Sequence, residues 1–155
     1  MMKKKIFING FIVFALLSLG FVSCKTVDEN SFQKEMEVLA NYIKTNNISV
    51  KPTASGLYYI ELKEGTGGFP KIGETVVVKY TGKLLNGTVF DSGKFSFKLG
   101  TGKVIKGWDE GISMMKDSGI AQLIIPSDLA YGTNGSGPIP PYSTLIFDVE
   151  LLEIK

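Results

Sequence analysis

The stretch KGWDEGISMMK, residues 106–116, breaks the pattern of everything around it. Trp108, Ile112 and Met115 recur at i, i+4 and i+7, the spacing of one helical face. Asp109 and Glu110 fall in the first turn, where the positive end of a helix favours acids. On either side the period is two. Upstream lie GLYYIELKEG (56–65), TVVVKYTGKLL (75–85) and the short run FSFKLG (95–100), in which Phe95, Phe97 and Leu99 alternate. Downstream lie AQLIIP (121–126) and TLIFDVELLEI (144–154). Such β-branched and aromatic runs, parted by turn-rich segments such as GTGGFPKIGE, read as strands. In the last run Leu145, Phe147, Val149 and Leu151 share one face, and Asp148 and Glu150 the other. The reading is an α+β domain with several antiparallel strands in a half-covered sheet. The Trp108 helix is the one cover available inside the domain, and Val78, Ile112 and Leu123 are assigned to its core.

Between the last two strands runs AYGTNGSGPIPPYS (130–143), rich in Gly, Ser, Asn and Pro. A loop of this length in a compact domain is usually either functional or disordered. Tyr131 before it and Phe147 after it make a binding role the reading to pursue. Gly132, Gly135 and Gly137 are expected at positive φ, and Pro140 and Pro141 stiffen the return.

The N-terminus is of another kind. MMKKK followed by IFINGFIVFALLSLGFVSC has the cationic start and apolar run of an export signal, so residues 1–23 are read as a lipoprotein signal peptide and Cys24 as the lipidated residue. Phe21 departs from the usual Leu of a lipobox. A transmembrane anchor is the rival reading, weakened by Asn9 and Gly10. Residues 24–50 are read as a lipid-anchored tether and an amphipathic helix. Lys25–Asn30 form the polar tether, Asn30 or Ser31 the N-cap, and Phe32, Met36, Leu39, Ala40 and Ile43 one face, with Asn46 and Asn47 as terminators. The helix is expected to pack on its own domain. The placement that follows is the bacterial cell envelope, with the domain outside the cytoplasm and Asp28 and Glu29 as the sorting feature. The outer membrane is favoured over the inner.

Composition excludes several chemistries. Among 155 residues there is no His and no Arg. Absence of His removes Ser-His-Asp and Cys-His catalysis and the commonest zinc ligand. Absence of Arg argues against nucleic acid, which favours bidentate guanidinium contacts. The formal charge of +2 owes three lysines to the signal segment; without residues 1–23 the chain carries 14 lysines against 15 carboxylates, a net of −1. With Cys24 committed to lipid, no disulfide or catalytic thiol is expected.

Five blocks occur together and in order: VVVKYTGKLLNGTVFDS, F-x-F-x-LG, KVIKGWDEGISMM, AYG and IPPYSTLIFDVELL. The chain resembles the FK506-binding (FKBP) type of peptidyl-prolyl cis-trans isomerase over about residues 56–155, and residues 51–155 are read as that domain. The resemblance implies an antiparallel sheet wrapped around one short helix, to which the N-terminal helix is additional. It implies a proline pocket with Trp108 as its floor and Tyr80, Phe90, Phe95, Val104, Ile139 and Phe147 around it. Asp91 would stand at the edge, held by Tyr80, while the Ile105 N–H and the Tyr131 hydroxyl bond substrate carbonyls. Taken singly, Trp108 and the phenylalanines are ordinary core residues, Asp91 is a turn residue, and Tyr131 merely starts a loop. Two features depart from the family: a short connection from Asp91 to Phe95, and a loop from Tyr131 to Ile139 one residue shorter than in small human-type domains. Both alter the rim.

The activity implied is rotation of X–Pro bonds in exported proteins, with no cofactor and no metal. The partners implied are proline-containing segments, a macrolide inhibitor, and the membrane through Cys24, with the chain a monomer. The alternative is a membrane-tethered proline-peptide binding or assembly module with little turnover, for which helix 31–45 would dock a partner.

Overall fold

A computed structural model describes residues 24–155, with side chains from Glu29 onward. The expected signal peptide, residues 1–23, and the Cys24 side chain lie outside the described residues. The elements are α1 (Cys24–Thr45), β1 (Tyr58–Lys63), β2 (Thr75–Leu84), β3 (Val89–Lys98), α2 (Lys106–Ser113), β4 (Ile120–Ile125) and β5 (Leu145–Ile154), with a 3₁₀ turn at Ser127–Leu129. The strands form one antiparallel sheet in the order β1-β4-β5-β2-β3.

Alternation sorts the side chains onto two faces. Val76 and Val78 of β2, Leu123 of β4, and Phe147, Val149 and Leu151 of β5 meet Trp108, Ile112 and Met115 in one buried cluster. Full burial of an aliphatic or aromatic side chain contributes about 1.5–3 kcal/mol, so this cluster supplies most of the cohesion. The helix lies tightly against β4. A Cβ on Gly111 would stand 2.7 Å from the Leu123 methyl carbons, so the missing side chain is what permits the approach.

The opposite face is not bare. Ile124 and Ile146, one residue out of phase with the core set, are buried together with Leu39 of α1. Met36, Tyr42 and Ile43 of the helix pack around them. The sheet expected to be half-covered is therefore covered on its second face too, where α1 crosses β4 and β5. The helix packs on its own domain as expected, but two of its details differ. It begins at Cys24 rather than after a tether, and its seam takes in Glu35 while Ala40 is exposed. Asn47 ends it in the left-handed region at φ 53°, with the Asn46 amide donating to the Tyr42 carbonyl. No helix among the described residues is long and apolar enough to cross a membrane.

Two other boundaries move. β3 starts at Val89, six residues before the short run the sequence suggests. It is an edge strand with exposed residues on both faces, so burial imprints no alternation there, and FDSG reads as a turn. α2 closes at Ser113, and Met115 reaches the core from just beyond its end.

Candidate active site

Three strands, α2 and two connections converge on one cleft of about 280 Å³. β2 brings Tyr80; β3 brings Phe90, Asp91 and Phe95; β5 brings Phe147 and α2 brings Trp108. The segment before α2 adds Lys103, Val104 and Ile105, and the loop after the 3₁₀ turn adds Tyr131.

The rings hold one another by edge-to-face contacts, the arrangement aromatic quadrupoles favour. Trp108 meets Tyr80 at 4.9 Å between centroids and Phe147 at 5.2 Å, both T-shaped. Phe147 in turn meets Phe90 at 5.6 Å. A glycine makes this possible. Gly82 pairs across the sheet with Phe147 on one side and Asp91 on the other, and a Cβ there would lie 2.7 Å from the Phe147 and Phe90 rings. Trp108 is buried, and its indole N–H has no partner among the described residues. That leaves a polar donor buried among rings.

Polar groups stand at the edge. The Tyr80 hydroxyl donates to the Asp91 carboxylate at 2.7 Å. This bond, with burial second, pushes the Tyr80 pKa up to about 12. The hydroxyl therefore stays protonated at neutral pH and keeps the carboxylate in place. Ile105 caps the N-terminus of α2 in extended geometry, its carbonyl accepting from Trp108 N–H and Asp109 N–H. Its own N–H donates to no group among the described residues. The connection carrying it is ordered by Asp109, whose two carboxylate oxygens accept from Gly100 N–H at 2.8 Å and Gly102 N–H at 3.1 Å.

Tyr131 is 38% exposed at the mouth. Its backbone is bracketed, because Ala130 N–H and Gly132 N–H both donate to the Ser127 carbonyl. Beyond it Ser136 and Ile139 exchange backbone hydrogen bonds, and Tyr142 N–H donates to the Gly132 carbonyl, folding the loop on itself. Gly132, Gly135 and Gly137 all have positive φ, as the sequence suggests. Nine of the ten residues the resemblance points to thus line the cleft. Ile139 does not: it is buried in the main core cluster instead, where the returning loop tucks it. Lys103 and Gly82 are the additions. A glycine inside a β-branched strand is a readable sign of close approach, but Lys103 carries no signal in the sequence.

The arrangement is an apolar cup with a carboxylate held by a tyrosine, a helix N-terminal N–H and a hydroxyl at its rim. Among the described residues no His, Cys, Asp or Glu cluster could hold a metal ion.

Comparisons with known proteins agree with the fold. The family model described as FKBP-type peptidyl-prolyl cis-trans isomerase matches residues 67–152. A protein named FK506-binding protein from Neisseria meningitidis is 49% identical over 105 residues, covering 64% of this chain and 96% of the relative. FK506-binding protein 4 of Dictyostelium discoideum is 53% identical over 108 residues, 67% of this chain. The chain spans only 30% of that longer relative and 28% of its Neurospora crassa namesake. Among solved structures, FkpA from Escherichia coli superposes with a TM-score of 0.73 at 40% identity, over 84% of this chain and 62% of that one. A peptidyl-prolyl cis-trans isomerase from Pseudomonas syringae pv. tomato gives 0.72 at 32% identity, over 88% and 99%.

Proposed function

The chain belongs to the family of FKBP-type peptidyl-prolyl cis-trans isomerases, and from that premise we propose that it accelerates X–Pro rotation in exported proteins. It does so from the cell envelope as a monomer anchored through lipid on Cys24. The observation that carries the reading is the ring-walled cleft with the Tyr80–Asp91 pair at its edge.

An X–Pro amide resists rotation by about 18–20 kcal/mol because conjugation keeps it planar. Twisting the C–N bond localises the nitrogen lone pair and shrinks the amide dipole. A water-poor cup therefore penalises the planar ground state more than the twisted one. Stabilisation accelerates the step only where it is greater in the twisted state. The Ile105 N–H, at the positive end of α2, and the Tyr131 hydroxyl supply it if they meet the carbonyls better once the bond has turned. Proline's ring would rest on Trp108, between Phe147 and Tyr80. No proton moves, and no covalent bond forms or breaks.

The test is cis/trans exchange of proline peptides by NMR, with the full chain in mild detergent and its Asp91→Ala and Phe147→Ala variants. Exchange that a family macrolide inhibits, and that Phe147→Ala abolishes, is expected. A folded protein that leaves every peptide at its uncatalysed rate sinks the enzyme in favour of a binding module.

A further inference from the structure

Glu35 lies in the seam between α1 and the sheet and is 6% exposed. A carboxylate taken out of water costs several kcal/mol unless its lone pairs are met, and among the described residues no cation pairs with it. Three donors meet them instead. Ser127 N–H donates to Oε1 at 2.8 Å, and the Ser127 hydroxyl donates to Oε2. The Thr144 hydroxyl donates to Oε1 at 2.7 Å. Ser127 and Thr144 are the two ends of the loop that carries Tyr131. Ser127 is also the residue whose carbonyl accepts from Ala130 and Gly132, on either side of Tyr131. One side chain on α1 thus closes the base of the loop, and a single residue separates it from the backbone that aims the tyrosine.

We infer that Glu35 is a positioning residue for the cleft: it sets the Tyr131 loop from the far side of the sheet, so α1 belongs to the active-site scaffold. The inference rests on the isomerase reading only where it touches turnover. Its mechanism is geometric rather than electrostatic. Oε1 accepts two donors while Oε2 accepts only a hydroxyl, which can turn round. A glutamine therefore reproduces all three contacts, its amide group donating to Ser127 Oγ where Oε2 accepted.

The experiment compares Glu35→Ala, Glu35→Gln and Val76→Ala in the full chain. Val76→Ala is a core cavity at the other end of β2, serving as a control for general destabilisation. In Glu35→Ala the amides of Ala130, Gly132 and Tyr142 should exchange with deuterium at least about tenfold faster, well beyond any change in β2. Glu35→Gln should restore them, and Val76→Ala should not single them out. Peptide exchange should fall by about tenfold or more in Glu35→Ala, since small misplacements of a positioning group are costly. That loss should shrink in a Tyr131→Phe background, because the two act through one contact. Loop amides at wild-type rates in Glu35→Ala, a glutamine variant as disturbed as the alanine one, or an additive cycle with Tyr131→Phe would each overturn the inference. A wild type without catalysed exchange would sink the isomerase reading and leave the amide rates to decide this one.

Discussion

Tyr80 shows how one side chain can serve both packing and chemistry. Its ring sits edge-on against Trp108 while its hydroxyl holds Asp91. Because the folded pKa stands near 12 against an ordinary value of 10.0, the protonated hydroxyl is the form that folding favours. Its stabilisation is complete below the unfolded value and is lost as pH climbs from about 10 through about 12. Tyr80→Phe keeps the ring and deletes the bond. A hydrogen bond to a charged group is worth about 1.5–3 kcal/mol, and this one, half open to water, belongs at the low end. The variant should melt lower than wild type at pH 8, and the gap should close above pH 11 as the wild type loses its own bond. Thermal melts across that range check it. A gap of constant size would mean that Asp91 contributes nothing through this hydroxyl.

Elements are legible in the sequence where one face of them is buried and the other is not. β5 alternates cleanly because the core takes Phe147 and Val149 while Asp148 faces the Lys83 and Gln122 side chains. Ile146 breaks the rule, being buried on the second face by Leu39, a contact that no local pattern can announce. β3 is longer than its pattern suggests for the opposite reason: at the sheet edge, little of it is buried at all. Most of the cleft can be read because its residues come in short fixed blocks. Glu35 cannot, since a glutamate on a helix looks like solvated surface until the loop ends that need it arrive from 92 and 109 residues away. The α2–β4 contact makes a prediction at this scale. Gly111→Ala gains up to about 1 kcal/mol of helix propensity. It also drives a methyl group into the wholly buried Leu123, where overpacking costs about 1–3 kcal/mol. Overpacking outweighs propensity, so urea denaturation should show a lower midpoint. A midpoint above wild type would mean that α2 can lift off β4 without loss.

At the scale of the whole molecule, α1 can be either an arm that reaches for partners or part of the body. Burial favours the body. Leu39 is 4% exposed, and its truncation to alanine should cost about 2–5 kcal/mol, the range for a buried leucine. An arm would tolerate that change at no cost to the rest. A chain beginning at Ile48 carries the difference further. Without α1, Ile124 and Ile146 lose their cover, and the Ser127 and Thr144 donors lose the carboxylate they share. The shortened chain should therefore unfold at lower urea, and it should tend to self-associate through the apolar face that Leu39 leaves open. Its proline-peptide exchange should fall as well, because the loop bearing Tyr131 is no longer held at its base. Denaturation, light scattering and exchange on the same preparation separate the two pictures. An arm predicts a wild-type midpoint, a monomer and full turnover. The structure predicts that all three change together, since the same helix covers the sheet and steadies the cleft behind it.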